Sequence, residues 1–123
     1  MLKLSEAIRL GATLHPQATG VYAVGNAHGE VLATCALGAA LVAIGQNPMI
    51  ASELDDIPAE WIPPGGFLCP ACLYGDYSNH LDNMVGHLND DHHWTREQIA
   101  DWVETVEQEH RPVEQSELEE QFT

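Results

Sequence analysis

Two cysteines and four of the chain's seven histidines fall within the twenty-five residues CPACLYGDYSNHLDNMVGHLNDDHH, 69 to 93. No other stretch restricts the fold as much. Two residues separate Cys69 from Cys72, fourteen separate Cys72 from His87, and four separate His87 from His92, giving C-x2-C-x14-H-x4-H. That pattern lies within the spacing of a Cys2His2 zinc site, with roughly 12–15 residues between the cysteine pair and a histidine pair three to five apart. The chemistry explains the spacing, because a two-residue gap lets both thiolates of a tight turn converge and a near-turn gap brings two imidazoles to one side. Four protein ligands leave no open coordination position, so the expected role is structural, with Cys69, Cys72, His87 and His92 as ligands.

Other donors compete. His80 and His87 lie two helical turns apart, a rise of about 10.5 Å, too far for one tetrahedral ion. His93 rivals His92 because the helix should end near Asn89 and Asp90, leaving the register beyond it free. Asp90 and Asp91 are placed to accept the second N–H of an imidazole. Gly86, unfavourable in a helix by up to about 1 kcal/mol, suggests a place where the cysteine turn comes close. Cys35 could replace a histidine or act as a reactive thiol, but in an alanine-rich segment it reads as a buried small residue. A redox use of CPAC would want the pair to open a helix after a strand in a βαβ unit, and prolines and glycines precede it here.

The periodicity is mainly helical. Ser5 reads as the N-cap of a helix over roughly 5–14, ended by His15-Pro16. GVYAV and EVLAT flank turn residues and predict a hairpin over about 20–34, after which Thr34 would cap an alanine-rich helix stopped by Gly45. The small residues Ala36, Gly38, Ala39, Ala40 and Ala43 let a neighbour pack closely. Residues 46–68 carry four prolines and no period, a connecting crossover anchored by Trp61, Ile62, Phe67 and Leu68. Beyond the cysteines, Ser78 would cap a helix over about 79–89 whose Leu81, Met84, Val85 and Leu88 share one face. Thr95 with Gln98 forms a capping box opening a last helix, with Ile99, Trp102, Val103 and Val106 as its buried stripe and Pro112 after its end.

Charge narrows the function. Across 123 residues there are 19 acids against 4 lysines and arginines, a formal net charge of −15. Residues 1–50 are balanced, while residues 89–123 hold eleven acids and two arginines, a net −9 that makes the C-terminal third an acidic surface. Nucleic-acid affinity needs Lys and Arg to displace condensed counterions, so direct DNA or RNA binding is not expected. A ββα-type nuclease built on His80, Asn83 and His87 is disfavoured for the same reason, and a three-ligand hydrolytic metal finds no candidate general base. The longest apolar run, 31–44, spans fourteen residues, too short to cross a bilayer. The N-terminus has Glu6 and Arg9 where a secretion signal would be apolar, so a cytoplasmic location is expected.

The stretch HLNDDHHWTREQIADWVETVE, with CPAC before it and TCALGAAL earlier, resembles small bacterial and phage proteins that carry a HLND, His, Trp, IA-W-V pattern. The resemblance covers most of the chain; it implies zinc ligation by Cys69, Cys72, His87 and His92 and says nothing of catalysis.

Together these readings predict a mainly α, zinc-stapled single domain with one small β-hairpin. The domain would span 1–111: a helix-hairpin-helix part over 1–50, a crossover over 51–68 and a zinc-binding helical part over 69–111. An acidic flexible tail would follow over 112–123. The expected function is a non-catalytic protein-interaction module with an acidic helical surface at Glu97, Asp101, Glu104, Glu107 and Glu109, its partner a protein, basic or itself nucleic-acid-binding. The alternatives are an acidic nucleic-acid mimic that inhibits a DNA- or RNA-handling complex, and a metal-dependent hydrolase or nuclease.

Overall fold

A computed structural model describes residues 2–50, 57–73 and 80–109. Among the described residues the chain is mainly helical, with four α-helices and a two-stranded antiparallel hairpin: α1 (Leu4–Ala12), β1 (Ala23–Gly25), β2 (Val31–Thr34), α2 (Ala36–Ala43), a single 3-10 turn (Ala59–Trp61), α3 (Leu81–Asp90) and α4 (Arg96–Glu109). The expected Ser78 cap, His110 and the acidic segment 112–123 lie outside the described residues. Among the described residues no helix is long and apolar enough to cross a membrane.

Helix α1 starts one residue earlier than its pattern predicts, and its N-cap is Lys3 rather than Ser5. Glu6 reaches back to accept from the Lys3 N–H at 2.9 Å, so Ser5 is free for another role. It is buried, and both its backbone N–H and its hydroxyl donate to Glu107 on α4, at 3.0 and 2.5 Å. The opposite face of α1 meets α2. A methyl at Gly11 would come within 1.8 Å of the Ala39 carbonyl oxygen, so the absence of a side chain there lets the two helix backbones touch. Ala36, Ala39 and Ala40 are fully buried beneath that contact, as expected of a thin helix.

The hairpin pairs Ala23 with Thr34 and Val24 with Ala33, then slips by a bulge before Gly25 and Val31. Asn26 shapes its turn by accepting the His28 and Glu30 N–H groups at 2.9 and 3.1 Å, an Asx turn that Gly29 completes at φ +79°. Thr34 does not cap α2. Cys35 takes that position, its Sγ accepting the Gly38 N–H at 3.3 Å, which frees the Thr34 hydroxyl to accept from Arg96 at 3.0 Å. The C-terminus of α2 is closed by Gly45 at φ +87°: its N–H bonds Val42 O while that of Gln46 bonds Leu41 O, the two bonds of a Schellman motif.

Leu81, Met84, Val85 and Leu88 of α3, and Ile99, Val103 and Val106 of α4, are all buried in one core with Leu4, Ile8, Leu37 and Leu41. Each such side chain contributes about 1.5–3 kcal/mol through burial. Trp61 joins them at 3% exposure, its indole N–H donating to Leu2 O, whereas Trp94 and Trp102 pack partly buried at the margin. The predicted capping box is present: the Thr95 N–H donates to Gln98 Oε1 at 2.9 Å and the Gln98 N–H to Thr95 Oγ1 at 3.1 Å.

Candidate metal centre

The cysteine turn supplies two of the four donors. Cys69 is fully buried and Cys72 exposed, and the turn between them closes when the Leu73 N–H bonds Cys69 O at 2.8 Å. Cys69 Sγ accepts the Ala71 N–H at 3.3 Å, which orders the turn around the sulfur. Leu73, at φ +61°, pays for the reversal with a left-handed backbone that bulky residues rarely adopt.

The imidazoles come from the end of α3. His87 lies in its last turn, while His92 follows the C-cap Asp91. The chain then turns through His93 at φ +53°, which returns the Trp94 N–H to Leu88 O at 3.0 Å. This reversal turns His92 back toward His87, with Nε2 atoms 3.1 Å apart and rings nearly perpendicular, while His93 stands outside the donor group. Cys72 Sγ lies 3.5 Å from His87 Nε2 and 3.4 Å from His92 Nε2. The ligand atoms of Cys69, Cys72, His87 and His92 all lie within 4.8 Å of one another, close enough to bind a single metal ion.

Around the donors, the two aspartates divide their work. Asp91 Oδ2 sits 2.7 Å from His87 Nδ1, holding the ring with Nε2 toward the centre. Asp90 instead accepts from the Gly20 N–H and the Asn89 amide, each at 2.8 Å, and ties α3 to the segment before the hairpin. Cys35 lies away from the centre; its burial pushes the thiol's pKa up, which keeps it protonated. The expectation for Gly86 is overturned, since a Cβ there would meet nothing within 4 Å. Neither the cysteine turn nor any other described segment approaches it.

The acidic residues of α4 face α1. Arg9 donates to Glu104 at 2.6 Å and to Asp101 at 2.8 Å, with Glu97 at 3.9 Å, and Glu107 holds Ser5. Hydrogen bonding to Asp101, then Glu104, raises the Arg9 pKa further above its already high value. Of the five, Glu109 has no such partner on α1 among the described residues.

Two polar residues with central roles escaped the sequence reading. Asn89 is fully buried: its Oδ1 accepts from Gln17 at 2.9 Å and from the Ala36 N–H at 3.1 Å, and its Nδ2 donates to Ala18 O at 2.9 Å and to Asp90. Arg96 is 8% exposed and donates to His15 O at 2.7 Å, Ala12 O at 3.4 Å and Thr34. Burial lowers its pKa, while the carbonyls that end α1 offer its charge a favourable pole. A signal was available for both: Asn89 continues the α3 stripe four residues after Val85, and Arg96 opens the α4 stripe three before Ile99. In comparisons with known proteins, no family model, curated protein or solved structure matches this chain.

Proposed function

We propose that the protein is a non-catalytic interaction module whose fold is stapled by a structural zinc ion on Cys69, Cys72, His87 and His92. The observation that carries this reading is the donor spacing. A tetrahedral zinc with S and N ligands at about 2.3 and 2.0 Å requires S···N edges of about 3.5 Å and an N···N edge of about 3.3 Å. The corresponding separations here are 3.5 and 3.4 Å for Cys72 to the two imidazoles and 3.1 Å between the imidazoles, while Cys69 Sγ lies within 4.8 Å of all three. Two thiolates favour zinc over harder cations, and Asp91 behind His87 is the carboxylate partner common to zinc-bound histidines. With all four positions taken by protein, the ion has no place for a reacting water, and its binding energy becomes folding energy.

His80 and Asn83 remain exposed while His87 is committed to the donor group, which argues against the hydrolytic alternative. The net charge of −15 suits a basic protein partner by long-range steering. Nucleic-acid mimicry is the weaker reading, because Arg9 and Ser5 already engage four of the five acidic side chains proposed to imitate phosphates.

The test is metal content with cobalt substitution. Protein purified without added metal should carry one zinc per chain, and Cys69→Ser and Cys72→Ser should lower metal content and melting temperature together. The cobalt form should show tetrahedral absorption unchanged by azide. A stable, metal-free wild type would sink the zinc reading; a spectrum that moves with azide would reveal an open position and favour catalysis.

A further inference from the structure

A cavity of about 240 Å³ opens between the hairpin and α3, lined by Gly20, Val21 and Tyr22, by Cys35 and Leu37, and by Asp82, Asn83, Gly86 and Asp90. It contains none of the four metal donors. Its volume falls below the roughly 300–1,000 Å³ of cofactor and drug-sized sites, so it suits one side chain rather than a whole small molecule. Three successive turns of α3 make one wall. Asp82 and Asp90 stand about 12 Å apart along the helix with Gly86 midway, so a carboxylate flanks each end of a gap where the helix has no side chain. Asp90 is fixed by its bonds to Gly20 and Asn89. Among the described residues Asp82 has no hydrogen bond or ion pair, and no lysine or arginine lines the cavity. Apart from the Asn83 amide, the remaining walls are apolar or aromatic. Val21 and Tyr22 are about half exposed at the rim, while Leu37 and the thiol of Cys35 lie buried at the back.

Gly86 sharpens the point. Nothing in the described fold requires a glycine there, since its φ is not left-handed and its Cβ would enter open space, yet a glycine in a helix interior is destabilising. What it does is keep the cavity open.

From these features we propose that the cavity receives the cationic end of a lysine or arginine side chain presented by a protein partner. Carboxylates at both ends complement the charge, Val21 and Leu37 take the aliphatic stem, and Tyr22 offers an aromatic wall of the kind that attracts ammonium and guanidinium groups. The proposal deepens the interaction-module reading and rests on it for the partner being a protein; it does not rest on the metal.

The experiment uses the isotope-labelled, zinc-loaded full chain and a capped Gly-Arg-Gly peptide, with the citrulline peptide as the neutral isostere and spermidine as a free polyamine. The arginine peptide should shift the amide resonances of Gly20, Tyr22, Asp82 and Gly86 saturably and bind at least about tenfold more tightly than its citrulline counterpart. Asp82→Asn should remove most of that preference, and Gly86→Leu should block binding while the melting temperature holds or rises. Equal binding of the citrulline peptide, or shifts centred instead on Asp101 and Glu104, would overturn the proposal. Tighter binding of spermidine than of the peptide would overturn the assignment to a protein side chain. Metal content measured on the same samples separates the readings: a folded, zinc-containing chain that ignores the peptide overturns the cavity assignment alone, whereas a zinc-free chain that binds it overturns the zinc reading alone.

Discussion

The cysteine turn and the contact between α1 and α2 are both close approaches of backbone, yet they are held by different forces. At Gly11 and Ala39 the helices touch because small residues let them, and Ala7, Ile8, Ala40 and Leu41 around the contact are all buried. At the turn, Pro70, Ala71, Cys72 and Leu73 are exposed, with Leu73 at 73%, and only Cys69 is inside. Packing alone therefore orders the first region, while the second has donors where the first has methyl groups. A close-packed contact tolerates losing one partner among many, whereas a four-donor centre loses its closure with any one ligand.

The sharpest way to break this contrast is Cys69→Ser, which should lower stability by more than about 3 kcal/mol in denaturant titration, an effect that excess zinc does not restore. Chelation of the wild type should reproduce it. Next in size is Asn89→Ala, which belongs to neither region and would leave the Ala36 N–H and Ala18 O without their buried partner. A loss of about 3 kcal/mol is expected with zinc affinity unchanged, so calorimetry and metal competition should disagree about this variant.

Asp91→Asn probes the centre from behind. It should weaken zinc by about 10–100-fold, or about 1.4–2.7 kcal/mol, without altering the metal-free chain, as competition against a chromogenic chelator would report. The smallest effect belongs to the α1–α4 ion pairs. Arg9 is 31% exposed and its partners 47–72%, so solvent screens them, and Arg9→Met should cost less than about 1 kcal/mol in low salt and nearly nothing in high salt.

The same contrast explains what could be read before the structure. The apolar stripes of α3 and α4 and the ligand set rest on spacing, which is written directly in the chain, and the four donors do come together. Caps proved harder, because Ser5 and Thr34 have the right chemistry for N-caps but were drawn to distant partners, Glu107 and Arg96, that no local rule reveals. Gly86 was misassigned for a related reason: a glycine shows that room is needed without showing what for. Asn89 and Arg96 were legible only as polar interruptions of apolar stripes, and their partners lie more than fifty residues away.

The most direct test of the central claim is zinc-edge X-ray absorption on protein purified without added metal. A first shell of two sulfurs at about 2.3 Å and two nitrogens at about 2.0 Å would match a closed Cys2His2 centre. A shell of nitrogen and oxygen alone, or one with a fifth light atom, would contradict it.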